Sequence, residues 1–351
     1  MLKAEVEEQI TSAPRGPWPA AATRRVIPRV VALGGGTGLP IVLRGMKDLL
    51  FPSGRRWVAA RHRERLTGIV SVADDGGSSG RLRRDYGVLP PGDVRNCLLA
   101  LAAGSTTLSG IFGYRFDGNG GLGGHSLGNL ILTALARQEV DFTRAVDRAG
   151  RVLAVRGRVL PSTLDDVSLL AEFEDDSRIL GESSIALARR PIRRVLLRPK
   201  AARACPEARR AIEQADLVTL GPGSLYTSVI PVVLIRDLVR AIVRSGARVV
   251  LIMNLMTEPG ETDGYTAADV LLALRRHAPD LPIHDVLLND APIPAALTEP
   301  YTAGAATPIV AEGRSIRALG CRPVMRDLIG SGPKVRHDHG KVARALLELA
   351  G

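Results

Sequence analysis

The chain has 351 residues, of which 45% are hydrophobic, and a net charge of +11, so it holds enough apolar material for one large core or two modest ones. A mean hydropathy of +0.09 comes from short apolar runs broken by Gly, Pro or charge. Nothing approaches the roughly 18 to 20 uninterrupted apolar residues of a membrane helix, and no membrane partner is expected.

Residues 1–28 are rich in Ala, Pro and Arg without a period and read as a disordered N-terminal extension. They carry Glu5, Glu7 and Glu8 and no apolar h-region, so they are not a secretory signal and a cytoplasmic location is expected. Arg29 to Leu33 is a short β-rich run ending in Gly34-Gly35-Gly36-Thr37-Gly38, and apolar residues at helical spacing follow through Ile41, Val42 and Leu49. This is strand, glycine turn, helix. After a loop over 51–65 comes a second strand, Thr67 to Val72. The pattern recurs at Leu217 to Leu220 before Gly221-Pro222-Gly223-Ser224, and at Val249 to Met253 before a helix from about Thr266, where Asp269 completes a capping box. Continuous apolar strands alternating with helices predict a parallel sheet covered on both faces. Between Arg151 and Lys200 short strand-like runs take over, with a hairpin turning at Asp175-Asp176-Ser177. The expected architecture is α/β: a Rossmann-like, doubly wound, mostly parallel sheet over 29–149 and 205–351, interrupted by a small β-rich insertion at 150–204.

In doubly wound sheets ligands bind beyond the carboxyl ends of the strands, and every unusual loop of this sequence falls there. The loop of Gly34, Gly35, Gly36, Thr37 and Gly38 lets backbone amides and a helix dipole meet a phosphate closely. Leu39 stands where a G-x-G-x-x-G fingerprint has its last glycine, and no G-K-[ST] follows. That departure, with no acidic residue about 20 positions on, weighs against a dinucleotide-dependent oxidoreductase. The run Asp74-Asp75-Gly76-Gly77-Ser78-Ser79-Gly80-Arg81 sets two carboxylates before hydroxyls and a cation. Asp74, Asp75, Gly76, Ser78, Ser79 and Arg81 are candidates for ribose contact, with Asp74 or Asp75 as a Mg²⁺ ligand. The bland alternative is a turn held by Asx hydrogen bonds.

Asp93 reads as the N-cap of the next helix, with Arg95 and Asn96 in its first turn facing the same rim. The run from Asp117 to Asn129 is rich in ordered glycine and reads as a loop that closes over ligand. His125, Ser126 and Asn129 at its end can point at one site. Gly221, Pro222, Gly223, Ser224, Tyr226 and Thr227 form a second amide-rich turn with hydroxyls, and Asn254, Thr257 and Thr262 complete the rim. The basic run Arg189 to Arg194 is a solvated strand face, and His337-Asp338-His339 lacks a third metal ligand. Cys97, Cys205 and Cys321 are too few and too scattered for a disulfide scaffold or a metal clip. The 2 Trp, 5 Tyr and 5 Phe offer few rings for stacking on bases, so no specific nucleic-acid partner is expected despite the charge.

Seven motifs in order, Gly34 to Gly38, Val72 to Arg83, Pro91 to Asn96, Gly124 to Leu130, Gly181 to Ile185, Gly221 to Ser228 and Gly260 to Tyr265, resemble the YvcK-type gluconeogenesis factor family from Arg29 to the C-terminus. That family is more distantly similar to the 2-phospho-L-lactate transferase of deazaflavin cofactor synthesis. The resemblance implies a Rossmann-like fold and a cytoplasmic, homo-oligomeric regulator. Such a protein binds a UDP-sugar such as UDP-N-acetylglucosamine and is linked to cell shape and to growth on gluconeogenic carbon sources. No catalytic residue and no tightly held cofactor are expected. The alternative is a transferase moving a phospho-group from a nucleotide diphosphate, with Mg²⁺ accompanying the diphosphate.

Overall fold

In a computed structural model the described residues are 27–51, 58–104, 107–302 and 305–350. The extension expected at 1–28 lies outside them except for its last two residues. Strands β1 (Val30–Gly34), β2 (Leu66–Val70) and β3 (Arg158–Pro161) come first, then β4 (Ser168–Phe173), β5 (Arg178–Leu180) and β6 (Ile192–Arg198). The last four are β7 (Leu217–Leu220), β8 (Arg248–Ile252), β9 (Asp285–Asn289) and β10 (Arg322–Arg326). Seven of these form one sheet in the order β10-β9-β8-β7-β1-β2-β3, with every pairing parallel. From β1 the chain builds outward through β2 and β3, then returns to the other side of β1 with β7. The winding direction reverses between β1 and β7, which in such sheets opens a crevice above the two strands. Val30, Ala32 and Leu33 are 0% exposed, which is why these strands read as unbroken apolar runs.

The remaining strands form a separate antiparallel sheet in the order β5-β4-β6. The hairpin between β4 and β5 turns at Asp175–Ser177, where Asp176 takes a positive φ of 63° and the Asp175 side chain accepts from Ser177 N. The expected insertion limits of 150–204 differ from the sheet boundaries. Arg158–Pro161 pairs parallel with β2 in the main sheet, so the antiparallel unit begins only with β4. Four residues flanked by loops carry too little pattern to tell an edge strand of one sheet from the first strand of another. The basic run of β6 is partly engaged across its sheet, since Arg193 and Arg194 join Arg178 of β5 around the buried Glu172.

The capping box of Thr266 and Asp269 opens the helix Ala267–His277. All three cysteines are buried and free. Among the described residues no helix is long and apolar enough to cross a membrane.

Candidate functional site

The loops following β1 and β7 meet at the reversal point. A Cβ on Gly38 would lie 2.0 Å from the Pro222 carbonyl oxygen, so only glycine lets the two loops back onto each other. Gly36 has a φ of +61° and its N–H donates to Asp93 Oδ2 at 2.6 Å. The second loop is locked by Asn254, whose Oδ1 accepts from Gly223 N and whose Nδ2 donates to Gly223 O, both at 2.9 Å. The helices beginning at Gly38 and Gly77 have no side-chain cap at their N-termini, whereas the helices Leu127–Gln138 and Ala267–His277 are capped by Ser126 and Thr266 and the first amide of Gly92–Leu101 is taken by Ser79. Uncapped amides gathered at one edge suit a polyanion.

Asp93 corrects the sequence reading. Pro91, not Asp93, is the N-cap of the helix Gly92–Leu101, and it makes no side-chain cap. Asp93 reaches across to the first glycine loop. Local spacing cannot reveal a partner 57 residues away, so a residue typical of caps was taken for one.

Carboxyl groups crowd the same edge. Burial pushes the Asp93 carboxyl up to about 6, against the hydrogen bond from Gly36 and with Asp74 adding to the rise. Burial and then Asp74, Asp75 and Asp93 raise Glu182 to about 8. Burial and Glu258 raise Glu261 to about 7. Asp74 is also raised, chiefly by burial, while accepting from Gly76 N at 2.9 Å in an Asx turn. Asp75 accepts from the Ser183 N–H and hydroxyl at 2.9 and 2.7 Å, tying β2's loop to the antiparallel unit. Among the described residues no three His, Cys, Asp or Glu side chains are grouped to hold a metal ion. With Asp74 and Asp75 already engaged, Mg²⁺ would need most of its ligands from a diphosphate and water, its usual manner of binding.

The polar motifs opposite form a buried network. Ser78 Oγ is 2.9 Å from His125 Nδ1 and accepts from Asn129 Nδ2 at 3.0 Å. Arg95, 8% exposed, turns inward from the rim. It donates to Ser126, to Asn129 Oδ1 at 3.2 Å and to Asn96 Oδ1 at 2.7 Å. Ser79 accepts from Gly92 N at 3.1 Å. Arg81 and Arg115 hold the glycine loop through the carbonyls of Gly123 and Gly124 at 2.6 and 2.5 Å.

Other candidates stand behind the rim. Tyr226 is 0% exposed, with its hydroxyl 2.9 Å from that of Tyr265. Glu261 receives Tyr226 N at 3.0 Å and the Thr227 hydroxyl at 2.7 Å, fastening the single π-type turn Leu225–Val229 that follows Ser224. Thr262 accepts from Glu258 N at 2.8 Å, and Thr257 from Thr307 N at 2.9 Å. His337 Nε2 lies 3.1 Å from Met253 O. Glu182 and Glu261 lie within the motifs Gly181 to Ile185 and Gly260 to Tyr265 but carry no local sign of a site role, and Arg115 has no local signal either.

One cavity borders the paired loops and another lies by the glycine-rich loop over 118–124. The first, of about 360 Å³, lies among Thr37, Gly223, Asn254, Thr257, Tyr301 and His337. The second, of about 550 Å³, lies among Ser78, Arg81, Arg115, Gly118, Gly120, Gly123 and Gly124. A cavity of about 920 Å³ lies elsewhere, between β6 and the helix Arg236–Ser245, and no glycine loop lines it.

A family model described as 2-phospho-L-lactate transferase CofD matches residues 30–329. A protein from Halalkalibacterium halodurans named gluconeogenesis factor is 42% identical over 320 residues, covering 91% of this chain and 95% of that protein. One of the same name from Bacillus subtilis is 41% identical over 324 residues, covering 92% and 98%. A crystal structure of a protein from Bacillus halodurans superposes with a TM-score of 0.83 at 42% identity, covering 91% of this chain and 98% of that one. The chain belongs to the CofD family and is similar to members named gluconeogenesis factor.

Proposed function

With membership of the CofD family as premise, we propose that the protein is a nucleotide-sugar-binding regulator whose ligand is UDP-N-acetylglucosamine or a close UDP-sugar. The observation that carries this reading is the backing of two glycine loops at the reversal point, with Gly38 against Pro222 and a cavity bordering both loops; a second cavity lies by the glycine-rich loop over 118–124. A diphosphate has two linked anionic groups, and two amide-rich turns beside uncapped helix N-termini match that number. The nucleoside then enters one cavity and the sugar the other. Closure of the glycine-rich loop over bound sugar shifts the population of an open and a closed form, which is what a sensor needs. The relatives' shared name supports a role in growth on gluconeogenic carbon sources.

A second reading, transfer of a phospho-group, is favoured by one observation: Glu182 and Glu261 are held at about 8 and 7, values that suit proton transfer near neutral pH. If Mg²⁺ accompanies the diphosphate, it neutralises phosphate charge beside these acids.

Calorimetric titration with UDP-N-acetylglucosamine, then long incubation with Mg²⁺ and mass spectrometry of the ligand, separates the two. The regulator binds and returns its ligand intact. Release of UDP or UMP faster than about 0.1 per second, the slow end of ordinary enzymes, establishes the transferase instead.

A further inference from the structure

Within the proposed site, and resting on that reading, we infer that Asn129 and Ser78 hold His125 as a neutral imidazole with its hydrogen on Nε2, a fixed donor for a phosphate oxygen of the ligand. The chain of donors has one consistent direction. Arg95 Nη1 donates to Asn129 Oδ1, because a guanidinium only donates. The Asn129 amide is thereby oriented with Nδ2 toward Ser78 Oγ. Ser78 Oγ accepts that hydrogen, and because its own hydroxyl hydrogen has no other acceptor among the described residues it is directed to His125 Nδ1, 2.9 Å away. Nδ1 accepts, so the ring hydrogen resides on Nε2.

Nε2 makes no hydrogen bond among the described residues although His125 is only 6% exposed, which leaves one polar atom of a buried ring for a ligand to satisfy. Burial first, then Arg81 and Arg115 against the opposing Asp85, lower the His125 pKa. The arginines supply positive charge while His125 contributes a neutral N–H. The arrangement also denies His125 the part of a general base: the nitrogen available to ligand already carries its hydrogen, and the other is committed to a hydroxyl that is 7% exposed. Ser78 and Asn129 are positioning residues acting through His125.

Nitrogen-15 NMR of the imidazole in the ligand-free protein at pH 7 tests the relay independently of whether UDP-sugars bind. The Nε2–H tautomer is expected. In Asn129→Asp, residue 129 accepts from Ser78 and the serine must accept from the ring, so the spectrum should switch to Nδ1–H. An Nδ1–H ring or an even mixture in the unmodified protein overturns the relay, as does an unchanged Nε2–H spectrum in a folded Asn129→Asp variant. Inorganic pyrophosphate probes the donor itself. His125→Gln, which returns an N–H near the Nε2 position, should bind it within about threefold of the parent, and His125→Asn at least about tenfold more weakly. Equal binding by the two variants removes His125 from anion recognition even where the tautomer is as expected.

Discussion

The two ends of the main sheet treat buried acids in opposite ways. At the amino-terminal ends of β8, β9 and β10, Asp285 is 0% exposed. It accepts from Arg248 Nη2 at 3.1 Å and from Arg322 Nε at 2.6 Å. Burial alone would raise its pKa, and the two guanidiniums overcome that and leave it below the ordinary carboxylate range. At the carboxyl-terminal ends Asp93, Glu182 and Glu261 stand among other carboxyls, and all three are raised. One end spends its charges on holding strands together. The other crowds buried carboxyls against one another, a cost to stability that a ligand site commonly carries.

Asp285→Ala should break this comparison hardest. Three charge-assisted bonds and a buried side chain are lost, so unfolding free energy should fall by about 3 kcal/mol in urea titration, with UDP-N-acetylglucosamine affinity unchanged. At the opposite edge the response should invert. Asp93→Ala frees the Gly36 amide and loosens the loop, and calorimetry should show binding weakened at least about tenfold, or about 1.4 kcal/mol.

Glu182 sharpens the contrast through its sign. Its folded pKa of about 8 lies above the unfolded value, so the folded state holds the extra proton and stability is lost as pH rises from about 4.5 through 8. Glu182→Gln removes that loss. The variant should match the parent below about pH 4.5 and exceed it by about 1 kcal/mol or more at pH 8, measured by denaturation across pH. The smallest effect belongs to Asp75→Ala, which deprives Ser183 of its acceptor and should cost about 1 kcal/mol of stability. Loss of binding with stability intact would return Asp75 to the ligand.

The poles differ in how far the sequence exposes them. The parallel sheet is legible because β1 is an unbroken apolar run and β7 and β8 are nearly so, interrupted only by Thr219 and by Arg248 at the start of β8, and the loops after them are legible because glycine clusters are rare without a geometric demand. The partnerships inside the site were not. Asp93 meets Gly36, and Asp75 meets Ser183 across 108 positions; no periodicity encodes such pairs. Arg95 reads as a ligand residue because a first-turn arginine ordinarily faces solvent, yet Asn96, Ser126 and Asn129 hold its two terminal nitrogens inward and leave only Nε buried without a partner. Glu182 looked ordinary because a carboxyl's raised pKa comes from neighbours brought by folding. Asp285 drew no notice either, since its arginines begin two other strands.

Amide hydrogen exchange with and without UDP-N-acetylglucosamine reads both ends of the sheet at once. The account predicts protection on binding at the amides of 34–38, 221–228 and 118–125, with exchange at 248, 285 and 322 unchanged. Saturating ligand that leaves the two glycine loops unprotected, or protects the amino-terminal end instead, would contradict it.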